Sequence, residues 1–150
     1  MLEPGDQAPE FEGLTESGDA VSLLSLRGQV VVLYFYPKDN TPGCTRQACA
    51  FRDHFELFQK KDVAIVGISP DGSDSHDKFK VKFDLPFPLL SDTSHKVAEA
   101  YGAWKEKSMY GHKFIGVERS TFVINREGKI EAIYRKVKIN GHIEFLLKTL

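Results

Sequence analysis

Three observations on the 150-residue chain predict an α/β fold. Residues 30–36 (VVVLYFY) and 63–68 (VAIVGI) are continuous β-branched and aromatic runs, suited to strands buried on both faces. Segments with helical spacing follow each run. Two late strands, 121–124 and 130–134, flank the polar, Gly-containing stretch 125–129, a hairpin pattern. Strands alternating with helices imply right-handed parallel crossovers, and the late hairpin adds an antiparallel edge. The expected architecture is a mixed central sheet with helices on both faces.

The elements follow in order. Residues 11–15 and 20–23 flank Glu16-Ser17-Gly18-Asp19 and read as an N-terminal β-hairpin extension. Pro37 ends the first buried strand, because proline cannot donate to the ladder. Thr41 is a good helix cap and Pro42 suits the first helical position. Ala48, Phe51, Phe55 and Phe58 then form one apolar face, predicting a helix to about Lys60. Arg52 and Glu56 are spaced for an i, i+4 pair on its wet side. After the second strand, 69–72 reads as a turn, 75–83 as a helix, 85–90 as extended chain and 94–101 as a short helix. Ile143, Leu146, Leu147 and Leu150 share one face of a final helix over 141–150. Trp104 reads as core.

Composition excludes several classes of function. A net charge of −1, from 20 basic and 21 acidic residues, argues against a nucleic-acid partner. The most apolar run is too short to span a bilayer, so no membrane association is expected. The first residues, MLEPGD, carry no basic or apolar leader pattern, which points to the cytoplasm. No linker or repeat divides the chain, so residues 1–150 read as a single domain. A chain of this length buries roughly 70% of its unfolded surface and needs no metal or disulfide to fold.

Against this background two cysteines stand out, Cys44 and Cys49. On their own they allow inert buried thiols, redox chemistry or an incomplete metal site. The five histidines are scattered and read as solvated or structural. The loop 37–44 lies beyond the carboxyl end of the first buried strand, where α/β sheets place ligands. With Thr41 as cap, Cys44 becomes the third helical residue. There the helix dipole and free N–H groups favour an anion, and a thiol loses its proton more readily. Gly43 adds no side chain, leaving space for a small substrate to approach the sulfur.

The pattern Pro37-x-x-x-Thr41-x-x-Cys44 matches the active-site signature of the peroxiredoxins. Residues 5–11, 34–39, 41–45, 51–53, 89–92, 101–104 and 119–122 extend the likeness along nearly the whole chain. The sequence most resembles the peroxiredoxin Q group, also called bacterioferritin comigratory proteins. The resemblance implies a thioredoxin-like fold and a thiol-dependent peroxidase acting on hydrogen peroxide and organic hydroperoxides in antioxidant defence. It further implies roles for particular residues. Cys44 is the peroxidatic cysteine, oxidised to a sulfenic acid. Thr41 contacts the peroxide and the sulfur. Pro37 shields the pocket. Arg119 lowers the thiol pKa and polarises the peroxide. Gln47 stands where many relatives carry Glu or Gln, in a supporting role. No cofactor and no metal are expected, because sulfur is the redox centre.

Cys49 is expected to be the resolving cysteine of an atypical two-cysteine enzyme. On an ideal helix its Cα lies about 8.6 Å from that of Cys44. A disulfide needs about 7 Å or less. A Cys44–Cys49 bond therefore requires the first turns of the helix to unwind. Thioredoxin or a similar dithiol would then reduce the bond. Members of the resembled group are often monomers, and a monomer is expected here. Two other readings fit less well. A disulfide oxidoreductase would carry Cys-x-x-Cys rather than Cys-x-x-x-x-Cys. A redox sensor or holdase would not turn over peroxide.

Overall fold

The computed structural model describes residues 1–15 and 17–150; Glu16, in the expected N-terminal turn, lies outside them. The N-terminal hairpin is formed by β1 (Glu12–Leu14) and β2 (Ala20–Ser22), paired antiparallel. The first buried run becomes β3 (Val30–Phe35). It is followed by α1 (Pro42–Asp53), α2 (Phe55–Lys60) and β4 (Val63–Ser69). Next come α3 (Ser73–Phe83), β5 (Leu89–Ser91) and α4 (Lys96–Ala100). A hairpin of β6 (Trp104–Met109) and β7 (His112–Val117) precedes β8 (Ser120–Ile124), β9 (Ile130–Arg135) and α5 (His142–Thr149).

The central sheet has the order β5-β4-β3-β8-β9. β3 pairs parallel with β4, and β4 with β5, while β3–β8 and β8–β9 are antiparallel. This is the mixed sheet read from the sequence. Side chains of β3 alternate between its two faces. Val31, Leu33 and Phe35 join Phe11, Ala98, Tyr101 and Phe122 in one core. Val32, Tyr34 and Tyr36 join Cys44, Phe51 and Phe58 of α1 and α2, Phe79 of α3 and Leu146 of α5 in the other. Helices thus cover both faces. β3 is the central strand and β4 runs parallel to it, and the carboxyl end of β3 opens onto the loop that carries Cys44.

Two local readings are corrected. The helix expected to run unbroken to Lys60 is two helices, because His54 leaves the helical basin (φ −106°, ψ 8°). The His54 ring bonds the Ala50 carbonyl at 2.8 Å, and its own backbone N–H reaches that carbonyl at 3.3 Å. The Arg52–Glu56 pair does not form. Arg52 bonds Asp53 at 3.0 Å and donates from Nη1 to the Phe83 carbonyl at 2.7 Å. In the extended segment 85–90 only the last two residues pair with β4, Pro86 and Pro88 being unable to donate.

No local sequence pattern predicts the β6–β7 hairpin. Most of its residues are exposed or half-buried, so it lacks the apolar alternation that marks a strand. Trp104 is only half-buried and stacks on the His95 ring with centroids 4.0 Å apart. No helix among the described residues is long and apolar enough to cross a membrane.

Candidate active site

Tyr36 leaves β3 with its backbone N–H bonded to the Ile68 carbonyl of β4, and Pro37 follows, half-buried. The loop then turns through Asn40, which adopts a positive φ of 58°. Thr41 is the N-cap of α1, in extended backbone geometry, with Pro42 at the first helical position. Its carbonyl accepts from the Thr45 N–H at 2.8 Å, closing the first turn. The Thr41 hydroxyl does not cap the helix; it donates to the Lys38 carbonyl at 2.9 Å. Its hydrogen is thereby used, and its oxygen lone pairs remain able to accept from an incoming donor.

Cys44 is the third residue of α1 and is 2% exposed. Arg119, between β7 and β8, reaches across the sheet end and donates from Nη2 to the Cys44 sulfur at 3.2 Å. Its other terminal nitrogen, Nη1, donates to Gln47 Oε1 at 2.6 Å. One guanidinium fork thus grips two side chains on the same face of α1, three residues apart. The Arg119 carbonyl accepts from the Val137 N–H at 3.0 Å, tying the arginine to the segment after β9. Seventy-five positions separate Arg119 from Cys44, and the β3–β8 pairing closes that gap.

Gln47 is fully buried, and its Nε2 has no partner among the described residues. Gly43 makes room for the arginine. A Cβ there would stand 3.3 Å from Ile139 Cδ1 and 3.4 Å from Arg119 Nη2. Ile139 therefore walls the site beside Arg119, a role with no signal in the sequence because it lies far from the motif. Gln47 carried a faint signal, its i, i+3 spacing from Cys44.

Cys49 sits in the middle of α1, half-buried, and both cysteines are free thiols. The arrangement offers a buried sulfur at a helix N-terminus, a cation in contact with it and a hydroxyl oxygen free to accept at the entrance. This geometry suits nucleophilic attack by an anionic sulfur on a small electrophile whose leaving oxygen can be hydrogen-bonded.

Comparison with known proteins agrees with this chemistry. Residues 4–133 match the AhpC/TSA family. Peroxiredoxin Bcp of Bacillus subtilis is 48% identical over 99% of this chain and 95% of that protein. A peroxiredoxin Q mutant structure from Xylella fastidiosa superposes with a TM-score of 0.94 at 35% identity, covering 99% of this chain and 95% of that one. The bacterioferritin comigratory protein of Xanthomonas campestris, whose structures were described for its alkyl peroxide reduction activity, gives 0.91 at 37%, with 99% and 95% covered. The chain belongs to the AhpC/TSA family, among the peroxiredoxins of the Q and Bcp group.

Proposed function

We propose that this chain is a thiol-dependent peroxidase in which Cys44 attacks a hydroperoxide and Cys49 resolves the product. The observation that carries the reading is the 3.2 Å contact between Arg119 Nη2 and the Cys44 sulfur at the start of α1. A positive charge at that distance stabilises an anionic sulfur, and so do the unpaired N–H groups of the first helical turn. The thiolate attacks one peroxide oxygen. The S–O bond forms as the O–O bond breaks, sulfur is oxidised to sulfenic acid, and the alkoxide or hydroxide leaves and takes a proton. In this reading Arg119 donates to the oxygens during the transfer, Thr41 Oγ1 accepts from the peroxide hydrogen, and Pro37 and Ile139 limit water. The apolar Ile139 wall favours organic as well as inorganic peroxides.

Resolution follows by attack of the Cys49 sulfur on the sulfenic sulfur, with loss of water and formation of a disulfide. An intact α1 holds the two Cα atoms about 8.6 Å apart, so its first turns must unwind. A dithiol protein such as thioredoxin then takes the disulfide by exchange. The working unit in this reading is one domain, residues 1–150, acting as a cytoplasmic monomer. Two free thiols suit a reducing compartment. Sedimentation as a stable dimer at assay concentration would contradict the monomer.

Mass spectrometry after one equivalent of peroxide tests the chemistry. The expected product is a Cys44–Cys49 peptide lighter by two hydrogens in the wild type and an oxygen adduct on Cys44 in Cys49→Ser. An oxygen adduct in both proteins would assign resolution to an external thiol. Unmodified Cys44 in both would remove it as the nucleophile.

A further inference from the structure

Behind the Cys44 loop lies a buried polar cluster that the peroxidase chemistry does not use. Asp39 is buried between Pro37 and Thr41, and three side chains lie within hydrogen-bond distance of its carboxylate. The Tyr36 hydroxyl bonds Oδ1 at 2.6 Å; Ser75 Oγ bonds Oδ2 at 2.8 Å and His76 Nδ1 bonds it at 2.7 Å. The Asp39 backbone N–H donates to Asp71 Oδ2 at 2.7 Å, and Asp71 Oδ2 also accepts from Ser69 at 2.8 Å. His76 is fully buried in the first turn of α3, and its Nε2 faces the Leu90 carbonyl of β5 at 3.1 Å.

The hydrogen positions follow from chemistry. A carbonyl oxygen only accepts, so Nε2 carries a hydrogen toward Leu90. A hydrogen also lies between Nδ1 and Oδ2. Burial, with Tyr34 and Asp39 nearby, pushes the Tyr36 hydroxyl well above its ordinary range, so it stays a donor. Asp39, Asp71 and His76 come within 4.8 Å of one another. Both Asp39 oxygens, Asp71 Oδ2 and both His76 ring nitrogens already meet hydrogen donors or acceptors, which makes the cluster a strut.

What the strut fixes is the loop. Asp39 lies one residue after Lys38, whose carbonyl takes the Thr41 hydroxyl hydrogen. We infer that His76 and Asp39 are positioning residues for the peroxide step: by pinning the loop to α3 and β5 they hold the Lys38 carbonyl, and through it the Thr41 oxygen, in place. Among the described residues, the hydrogen bonds of the strut run to the β4–α3 turn, α3 and β5, and none runs to α1. The strut therefore holds the peroxide side of the site independently of the helix that must unwind for resolution. This inference rests on Cys44 being the peroxide nucleophile.

Two substitutions of His76 separate positioning from general stability. Asn places its amide nitrogen near the position of Nδ1 and keeps the Asp39 bond. Gln places its nitrogen near that of Nε2 and keeps only the Leu90 bond. Both lower the melting temperature. Rates are read in single turnover as Cys44 oxidation by hydrogen peroxide and, separately, as disulfide formation from the sulfenic acid. The expected result is a Cys44 oxidation rate about tenfold lower in His76→Gln and within about threefold of wild type in His76→Asn. Disulfide formation should be unchanged in both. Equal losses in the two variants, or none in either, would overturn the inference. Ser75→Ala covers the case in which both variants fail to fold. It removes one donor to Asp39 from a partly exposed side chain, and an oxidation rate equal to wild type would also overturn the inference. A wild-type protein that leaves Cys44 unoxidised would instead sink the proposed reaction, and this role with it.

Discussion

Removing the charge on Arg119 is the most direct test of the site. In Arg119→Met the side-chain volume is roughly kept, while the donors to Cys44 at 3.2 Å and to Gln47 at 2.6 Å are lost. Two unit charges at that separation interact by about 5 kcal/mol at an effective dielectric constant of 20. Arg119 is half-buried, so solvent screens part of this, and about 3 kcal/mol is a fair working value. If that stabilisation is fully expressed in the transition state, Cys44 oxidation slows about a hundredfold. Arg119→Lys retains the charge but cannot fork to both partners, so its loss should be nearer tenfold. The assay is the second-order rate of Cys44 oxidation in a Cys49→Ser background, where resolution cannot interfere. Near-ultraviolet circular dichroism checks the packing, because an unpartnered Gln47 Oε1 also costs about 1–3 kcal/mol of stability. A rate within threefold of the parent in folded Arg119→Met would refute the electrostatic role.

Two further perturbations read other parts of the molecule. Gly43→Ala should keep or slightly raise the melting temperature, since alanine is worth about 0.5–1 kcal/mol over glycine in a helix. It should nevertheless slow peroxide reduction about threefold or more, because its Cβ crowds Arg119 and Ile139; an unchanged rate would mean that the space over Gly43 is not used. Burial holds His142 below the ordinary histidine value, and its Nε2 bonds the Thr121 hydroxyl at 3.0 Å. The unfolded chain therefore binds the proton more readily, and stability from this residue is present above about pH 6.5 and lost as pH falls through the lower folded value. The urea midpoint of His142→Gln should fall less than that of wild type between pH 7 and pH 5; parallel curves would exclude His142 as the source.

The buried strands were legible because their apolar content is local and continuous. Residues 30–36 needed no partner to be recognised, whereas the place of β8 between β3 and β9 rests on long-range pairing that no local pattern marks. The start of α1 was legible for the same reason: cap, proline and cysteine are adjacent in the chain. The break at His54 was not, because no Gly or Pro marks it and its cause is a ring reaching back to a carbonyl. Arg119 could be singled out only by resemblance, since a lone arginine before a strand carries no local signature. Ile139 and His76 had no such help. Each acts through a contact made by the folded chain, with Gly43 in one case and Asp39 in the other. Thr41 was read as a cap, and its position is that of one. Its hydroxyl turns instead to the Lys38 carbonyl, a contact that no local pattern marks.

The two ends of α1 are held in different ways, and the difference matters for a disulfide between Cys44 and Cys49. The C-terminal end is anchored by packing. Phe51 is fully buried and stacks on Tyr34 at 4.6 Å, and Arg52 bonds the Phe83 carbonyl. The N-terminal turns depend instead on one arginine fork to Cys44 and Gln47 and on the burial of Ala48. The buried Nε2 of Gln47, unpartnered among the described residues, costs the folded helix about 1–3 kcal/mol that solvent would return on unwinding. In the proposed reaction, oxidation of Cys44 would replace the anionic sulfur beside Arg119 and so weaken the fork before the proposed disulfide forms. In that reading, unwinding from the N-terminus would reach Cys49 and stop before Phe51, leaving the aromatic core against β3 closed and α2, beyond the break at His54, in place.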